Sequence, residues 1–226
     1  MKVLVVAAHP DDEVLGCGGT IARMAREGHE TYMAILGEGI TSRYSRREEA
    51  DPKLVEKLHS HIERAAKVLE CKDLFTYSLP DNRFDTVPLL EVVKIVEELV
   101  SRLTPQIIYT HHGGDLNVDH GIVHRAVLTA TRPMAGQPVR EIHAFEIPSS
   151  TEWAFSSFPP TFIPNSFVEI SGTFEEKVRA LSCYESEVRV FPHPRSPEAL
   201  QAIARRWGSA VGCELSEAFQ VVRMIR

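Results

Sequence analysis

Residues 3–8 read Val-Leu-Val-Val-Ala-Ala and run straight into His9-Pro10-Asp11-Asp12-Glu13. Six apolar residues with β-branched members suit a strand buried on both faces, the kind found in parallel sheets. Past the acids the apolar period lengthens, and Val14, Leu15, Ile21, Ala22 and Ala25 share one face of a helix. One imidazole and three carboxylates therefore sit at the carboxyl end of a predicted central strand, where a helix begins. Open α/β sheets place their ligands at such points.

The same alternation continues. Strands are predicted at Thr31–Leu36, Leu74–Ser78, Gln106–Tyr109 and Glu141–Glu146. Between them the spacing predicts helices over 14–27, 52–69, 88–103 and 119–132. Asp51 is placed to cap the second helix, with Pro52 at its first position. Strand and helix in turn over the first ~150 residues imply an open, mostly parallel, Rossmann-like α/β sheet with helices on both faces. One domain spanning 1–226 is expected, with the core sheet in 1–150. Residues 151–226, with a strand at 167–170, helices at 174–184 and 196–211 and a returning strand at 217–225, would complete the fold and part of the site.

Composition narrows the function classes. A formal net charge of −6 argues against a nucleic-acid surface. The four cysteines are scattered without a C-x-x-C pair, against a disulfide framework or a cysteine zinc site. No apolar run approaches the ~20 residues needed to span a bilayer. With no basic leader or cleavage signal before the first strand, the expectation is a soluble, cytoplasmic protein.

Two clusters carry chemistry: His9, Asp11, Asp12 and Glu13, then Asn117, Asp119, His120 and His124. Each follows a predicted parallel strand, so both fall on one edge of the sheet. Two imidazoles and a carboxylate with one open position suit a catalytic zinc, and a further carboxylate beside the bound water suits a general base. Asp11 and Asp12 are adjacent, so one is free for metal while the other faces water. Helix capping is the competing explanation for these acids. Gly16-Cys17-Gly18-Gly19 is not a phosphate fingerprint; those glycines read as letting the helix approach the sheet closely. There is no G-x-S-x-G elbow.

Ala8-His9-Pro10-Asp11-Asp12-Glu13 matches the A-H-P-D-D-E signature, and Asn117-Val118-Asp119-His120 falls where an H-x-D-H variant is found. In both the chain resembles the PIG-L/LmbE-like zinc deacetylases, which remove acetyl from N-acetylglucosamine-type sugars. The resemblance extends from residue 1 to about Pro133 and more loosely beyond. It implies His9, Asp12 and His120 as zinc ligands, although a His-His-Asp set also holds other divalent ions. It implies Asp11 as general base, then acid, and Asp119 as the residue orienting a histidine. Many relatives carry histidine where this chain has Asn117. Asparagine can donate to an oxyanion but cannot be cationic. His193 is the first candidate to replace the missing histidine, and His112 the second. Arg43 and Arg83, in loops after strands, are candidates to bind sugar hydroxyl, phosphate or carboxylate. A homotrimer or hexamer is the family expectation. The reading is a zinc-dependent N-deacetylase of an N-acetylated amino sugar or its conjugate. The alternatives are a zinc amidase on a non-sugar amide or thiol conjugate, and a non-catalytic Rossmann-like binding module.

Overall fold

The computed structural model describes residues 1–44, 49 and 51–226; the side chains of Arg43 and Pro52 lie outside that description. Among the described residues the strands are β1 (Lys2–Ala7), β2 (Glu30–Gly37), β3 (Asp73–Leu79), β4 (Ile107–His111), β5 (Glu141–Phe145), β6 (Ser166–Glu169) and β7 (Ser216–Met224). They form one sheet in the order β3-β2-β1-β4-β5-β7-β6. The first five run parallel. β7 then pairs antiparallel with both β5 and β6. The sheet is thus the mostly parallel one expected, with β7 and β6 adding an edge built from the last third of the chain.

β1 is central, and its alternation divides the core. Val3 and Val5 point to the face covered by α1 (Asp12–Arg26), α2 (Pro52–Val68), α5 (Phe174–Cys183) and α6 (Pro197–Val211). Leu4 and Val6 point to the face covered by α3 (Leu89–Leu103) and α4 (Val118–Ala130). All four are at most 1% exposed, and each such side chain contributes about 1.5–3 kcal/mol on burial. A strand loaded on both faces cannot move to an edge without exposing one set, which fixes β1 in the middle.

Helix ends follow the sequence chemistry. The Asp51 carboxylate accepts from Lys53 N, and Ser196 Oγ accepts from Ala199 N. α3 starts at Leu89, one residue past the predicted start, and residues Phe84–Thr86 before it make a short 3-10 turn.

α1 departs from a simple helix. Cys17 has φ −149°, ψ 23°, so the helix breaks there. A Cβ on Gly16 would overlap the Phe145 ring, and one on Gly19 would stand 2.9 Å from Ile170. These glycines let the helix lie close to its neighbours, as the sequence suggested. The break frees backbone groups, and a buried ion pair takes them up. Lys177 Nζ donates to Leu15 O at 2.8 Å and is paired with Glu217. The Glu217 carboxylate accepts from Gly19 N and Thr20 N at 3.0 and 2.7 Å. α5 and β7 thereby cap the two halves of α1.

Candidate active site

The carboxyl ends of β1 and β4 bring the two sequence clusters together. Asp12 Oδ2 lies 3.3 Å from His9 Nδ1 and 3.2 Å from His120 Nε2. One ligand atom from each of His9, Asp12 and His120 falls within 4.8 Å of the others. The far side of each ring faces another carboxylate. Asp119 Oδ2 is 2.8 Å from His9 Nε2, and Asp119 Oδ1 accepts from Phe84 N. Asp115 Oδ1 is 3.0 Å from His120 Nδ1.

Neither His120 nitrogen has an aligned hydrogen bond among the described residues, although the ring is buried. The charges attract at these distances, but the ring N–H groups miss the oxygens. A buried imidazole left in that state calls for a partner. The donor set answers it: two inward nitrogens and Asp12 face one another, while the outward nitrogens rest on carboxylates, as in histidine metal sites. The residues present fit a divalent ion. Asp81 with Asp119 and His9 Nε2 forms a second cluster of acceptable spacing. There the His9 nitrogen is already committed to Asp119.

Electrostatics agree with a site built for positive charge. Burial opposes protonation of both rings, yet the surrounding carboxylates raise His9 to about 10 and His120 to about 9. Burial also works against ionised Asp12, but His120 beside it holds it well below the usual range. Asp115, resisting burial through His120, Ser150 and Thr151, stays at about 2.

Asp11 behaves differently. Its backbone is left-handed (φ 99°, ψ −25°), and its side chain makes no cap hydrogen bond. Capping therefore does not account for it. Its carboxylate instead meets Arg195 Nη1 at 2.7 Å. Burial pushes Asp11 well above the ordinary carboxyl range, and Arg195 pulls against that rise. Glu13 stands behind it, accepting from Asp11 N at 3.1 Å and from the Tyr184 hydroxyl.

These groups open on a cavity of about 610 Å³, whose lining includes His9, Asp11, Asp12, Asp81, His120, Trp153, Glu187 and Arg195. The other sequence candidates are distributed around it. Asn117 lines the cavity and caps α4, its Oδ1 accepting from Asp119 N while Nδ2 donates to Asn82. His193 does not line it; its Nδ1 accepts from Arg195 N, and its ring meets the edge of Trp153. His112 is buried outside the lining, against Pro160 O and Phe162. Arg83 is exposed and outside the lining, where Asp81 and Asn82 stand instead. The Arg43 side chain lies outside the described residues, as do Arg46 and Arg47.

The sequence reading missed Arg195, Asp115 and His111. Arg195 comes two residues after His193, with no periodicity to mark it. Asp115 was visible only as another acid before Asn117. His111 ends β4 and stacks on His120 with centroids 3.9 Å apart. Its Nε2 accepts from Ala8 N at 2.8 Å, so the ring is neutral; burial and His120 hold its pKa well below the usual value.

The sequence profile of the PIG-L family, described as GlcNAc-PI de-N-acetylase, matches residues 4–131. A probable N-acetyl-alpha-D-glucosaminyl L-malate deacetylase 2 of Bacillus cereus is 26% identical over 193 residues, covering 82% of this chain and 83% of its own. The diacetylchitobiose deacetylase of Thermococcus kodakarensis is 24% identical over 234 residues, covering 98% and 83%. Among solved structures, the 4-carboxy-2-hydroxymuconate hydratase GalB of Pseudomonas putida KT2440 superposes with a TM-score of 0.77 at 20% identity, covering 100% of this chain and 97% of that one. At that identity the likeness is one of fold. Among the described residues, no helix is long and apolar enough to cross a membrane. The profile takes in more than half of the residues and both motifs, and the chain belongs to the PIG-L family.

Proposed function

We propose that the protein is a zinc-dependent hydrolase that removes acetyl from an N-acetylated amino sugar or its conjugate. The observation that supports this reading best is the meeting, at one cavity, of the His9–Asp12–His120 trio with a separate buried carboxylate, Asp11. A divalent ion held by the trio supplies Lewis acidity and lowers the pKa of a water towards ~7.

The rest falls to the chain's own residues. Asp11 takes the proton from the attacking water, and a C–O bond forms at the acetyl carbon. The C–N bond then breaks, Asp11 returns the proton to the departing nitrogen, and acetate and a free amine result. Arg195 keeps the Asp11 carboxylate in place, and Asp119 and Asp115 hold the two imidazoles. Among the described lining residues, Asp11, Asp12, Asp81 and Glu187 stand with Arg195, His9 and His120, and with polar Ser149 and Asn117. Such a mixed polar lining offers hydrogen-bond partners for sugar hydroxyls.

The test pairs metal content with acetate release from N-acetylglucosamine, N,N'-diacetylchitobiose and a set of bulkier non-sugar amides. Wild type should hold about one divalent ion per chain, lost in His120→Ala. Asp11→Asn should keep the ion and lose turnover by about 10²–10⁴-fold. A fully active Asp11→Asn, with ion retained, removes Asp11 as the base. Faster cleavage of the non-sugar amides moves the substrate class to an amidase.

A further inference from the structure

Three consecutive side chains after β5 reach two different parts of the site. Ser149 Oγ accepts from Arg195 Nε at 2.9 Å, and Arg195 Nη1 donates to Asp11 Oδ2 at 2.7 Å. The Ser150 hydroxyl donates to Asp115 Oδ1. The Thr151 hydroxyl donates to Asp115 Oδ2 at 2.5 Å. Asp115 Oδ1 in turn lies 3.0 Å from His120 Nδ1. Ser150 and Thr151 are buried, so their hydroxyls have no water to fall back on.

The turn does not need these bonds to close. Its backbone is already tied by Ser150 N and Thr151 N to Ile147 O, at 3.0 and 2.9 Å. Ser149 N donates to the Glu152 carboxylate at 2.6 Å; the Thr151 hydroxyl also accepts from Ile147 N at 2.8 Å and so serves the turn as well as Asp115. Ser149 adopts φ 71°, a left-handed conformation that costs a non-glycine residue energy. That cost persists where something gains from it, and here the geometry sends successive hydroxyls to opposite ends of the site. Trp153, four residues on from Ser149, lines the same cavity.

We infer that the Ser149-Ser150-Thr151 turn is a positioning clamp: Ser149 sets the base through Arg195, and Ser150 and Thr151 set the metal ligand His120 through Asp115. Ser149 and Ser150 also line the cavity, and the role assigned to all three is to position Arg195 and Asp115. The inference rests on the hydrolase reading above, and its signature is a split between two readouts. Ser149→Ala should lower turnover on N,N'-diacetylchitobiose about tenfold, as loss of one hydrogen bond to a charged group does, while zinc retention against a chelator stays at the wild-type level. Ser150→Ala, which leaves the Ile147 N–Thr151 Oγ1 bond in place, should raise the zinc dissociation constant at least about tenfold. At saturating zinc its turnover should fall less than that of Ser149→Ala. Thr151→Ser, which keeps the hydroxyl, should retain zinc as wild type does.

If both variants shift both readouts alike, or shift neither, the turn is ordinary packing and the clamp is wrong. Asp11→Asn run beside them separates the two levels. An inactive Asp11→Asn with unaltered turn variants removes the clamp alone. A fully active one removes Asp11 as the base and the Ser149–Arg195 arm of the clamp with it, and wild type that binds no zinc removes the hydrolase reading and the whole clamp.

Discussion

Arg195 Nη1 lies 2.7 Å from Asp11 Oδ2, although 184 residues separate the two in the chain. The same guanidinium also donates through Nε to Ser149, so its planar fork is used on two sides. A lysine has the charge but not the fork. The pair therefore depends on the shape of the side chain as much as on its sign.

Arg195→Lys should lower turnover by roughly 10–100-fold while leaving the metal in place. Parallel measurement of acetate release and zinc content checks this. Wild-type turnover in the variant would mean that charge alone suffices.

Glu13 yields a prediction about pH. It is fully buried, and burial raises it to about 7 from an ordinary 4.5, against the pull of the Tyr184 hydroxyl. A group whose folded pKa is raised contributes stability that is complete below its unfolded pKa and lost as pH climbs through the folded one. The loss therefore falls between about 4.5 and about 7. Glu13→Gln stays neutral and should escape it, gaining on the order of 3 kcal/mol relative to wild type between about pH 5 and about pH 8. Urea unfolding of both proteins at the two pH values, with metal chelated, measures that gain. An equal difference at both would show that Glu13 does not titrate in this window.

The Lys177–Glu217 pair gives a prediction about stability. Removing one partner strands a buried charge, so Lys177→Met should cost about 3–5 kcal/mol. Adding Glu217→Gln should recover part of that loss, because the stranded charge goes. The recovery is incomplete, since an amide offers one acceptor oxygen where the carboxylate offers two to Gly19 and Thr20. Denaturant unfolding of wild type, single and double variants checks it. A double variant worse than the single one would mean the two groups act independently.

Much of this architecture was legible because it follows from local rules. The β1 run, the Asp51 and Ser196 caps and the apolar faces of α2 and α3 each depend on residues close in sequence. The two motif clusters were legible for a related reason: each sits immediately beyond a strand whose direction the alternating pattern sets. The break in α1 at Cys17 was not legible, since its backbone groups are taken up by Lys177 and Glu217 from far along the chain. Arg195 was hidden likewise, because an arginine in a proline-flanked loop has no periodicity, and only tertiary packing aims it at Asp11. His193, two residues away, carried the more suggestive chemistry, yet its ring serves the backbone of Arg195.

The broken helix has a consequence for the order in which the chain matures during synthesis. His9, Asp12 and His120 are all made once α4 has begun. Gly19 N and Thr20 N, by contrast, wait for Glu217, and Asp11 waits for Arg195. A nascent chain thus contains these three residues long before it can lock the helix that presents Asp12 or orient the aspartate beside it. A ribosome-bound chain halted after Thr151 and before Arg195 would carry His9, Asp12, His120 and the hydroxyls on Asp115, and lack the guanidinium that meets Asp11.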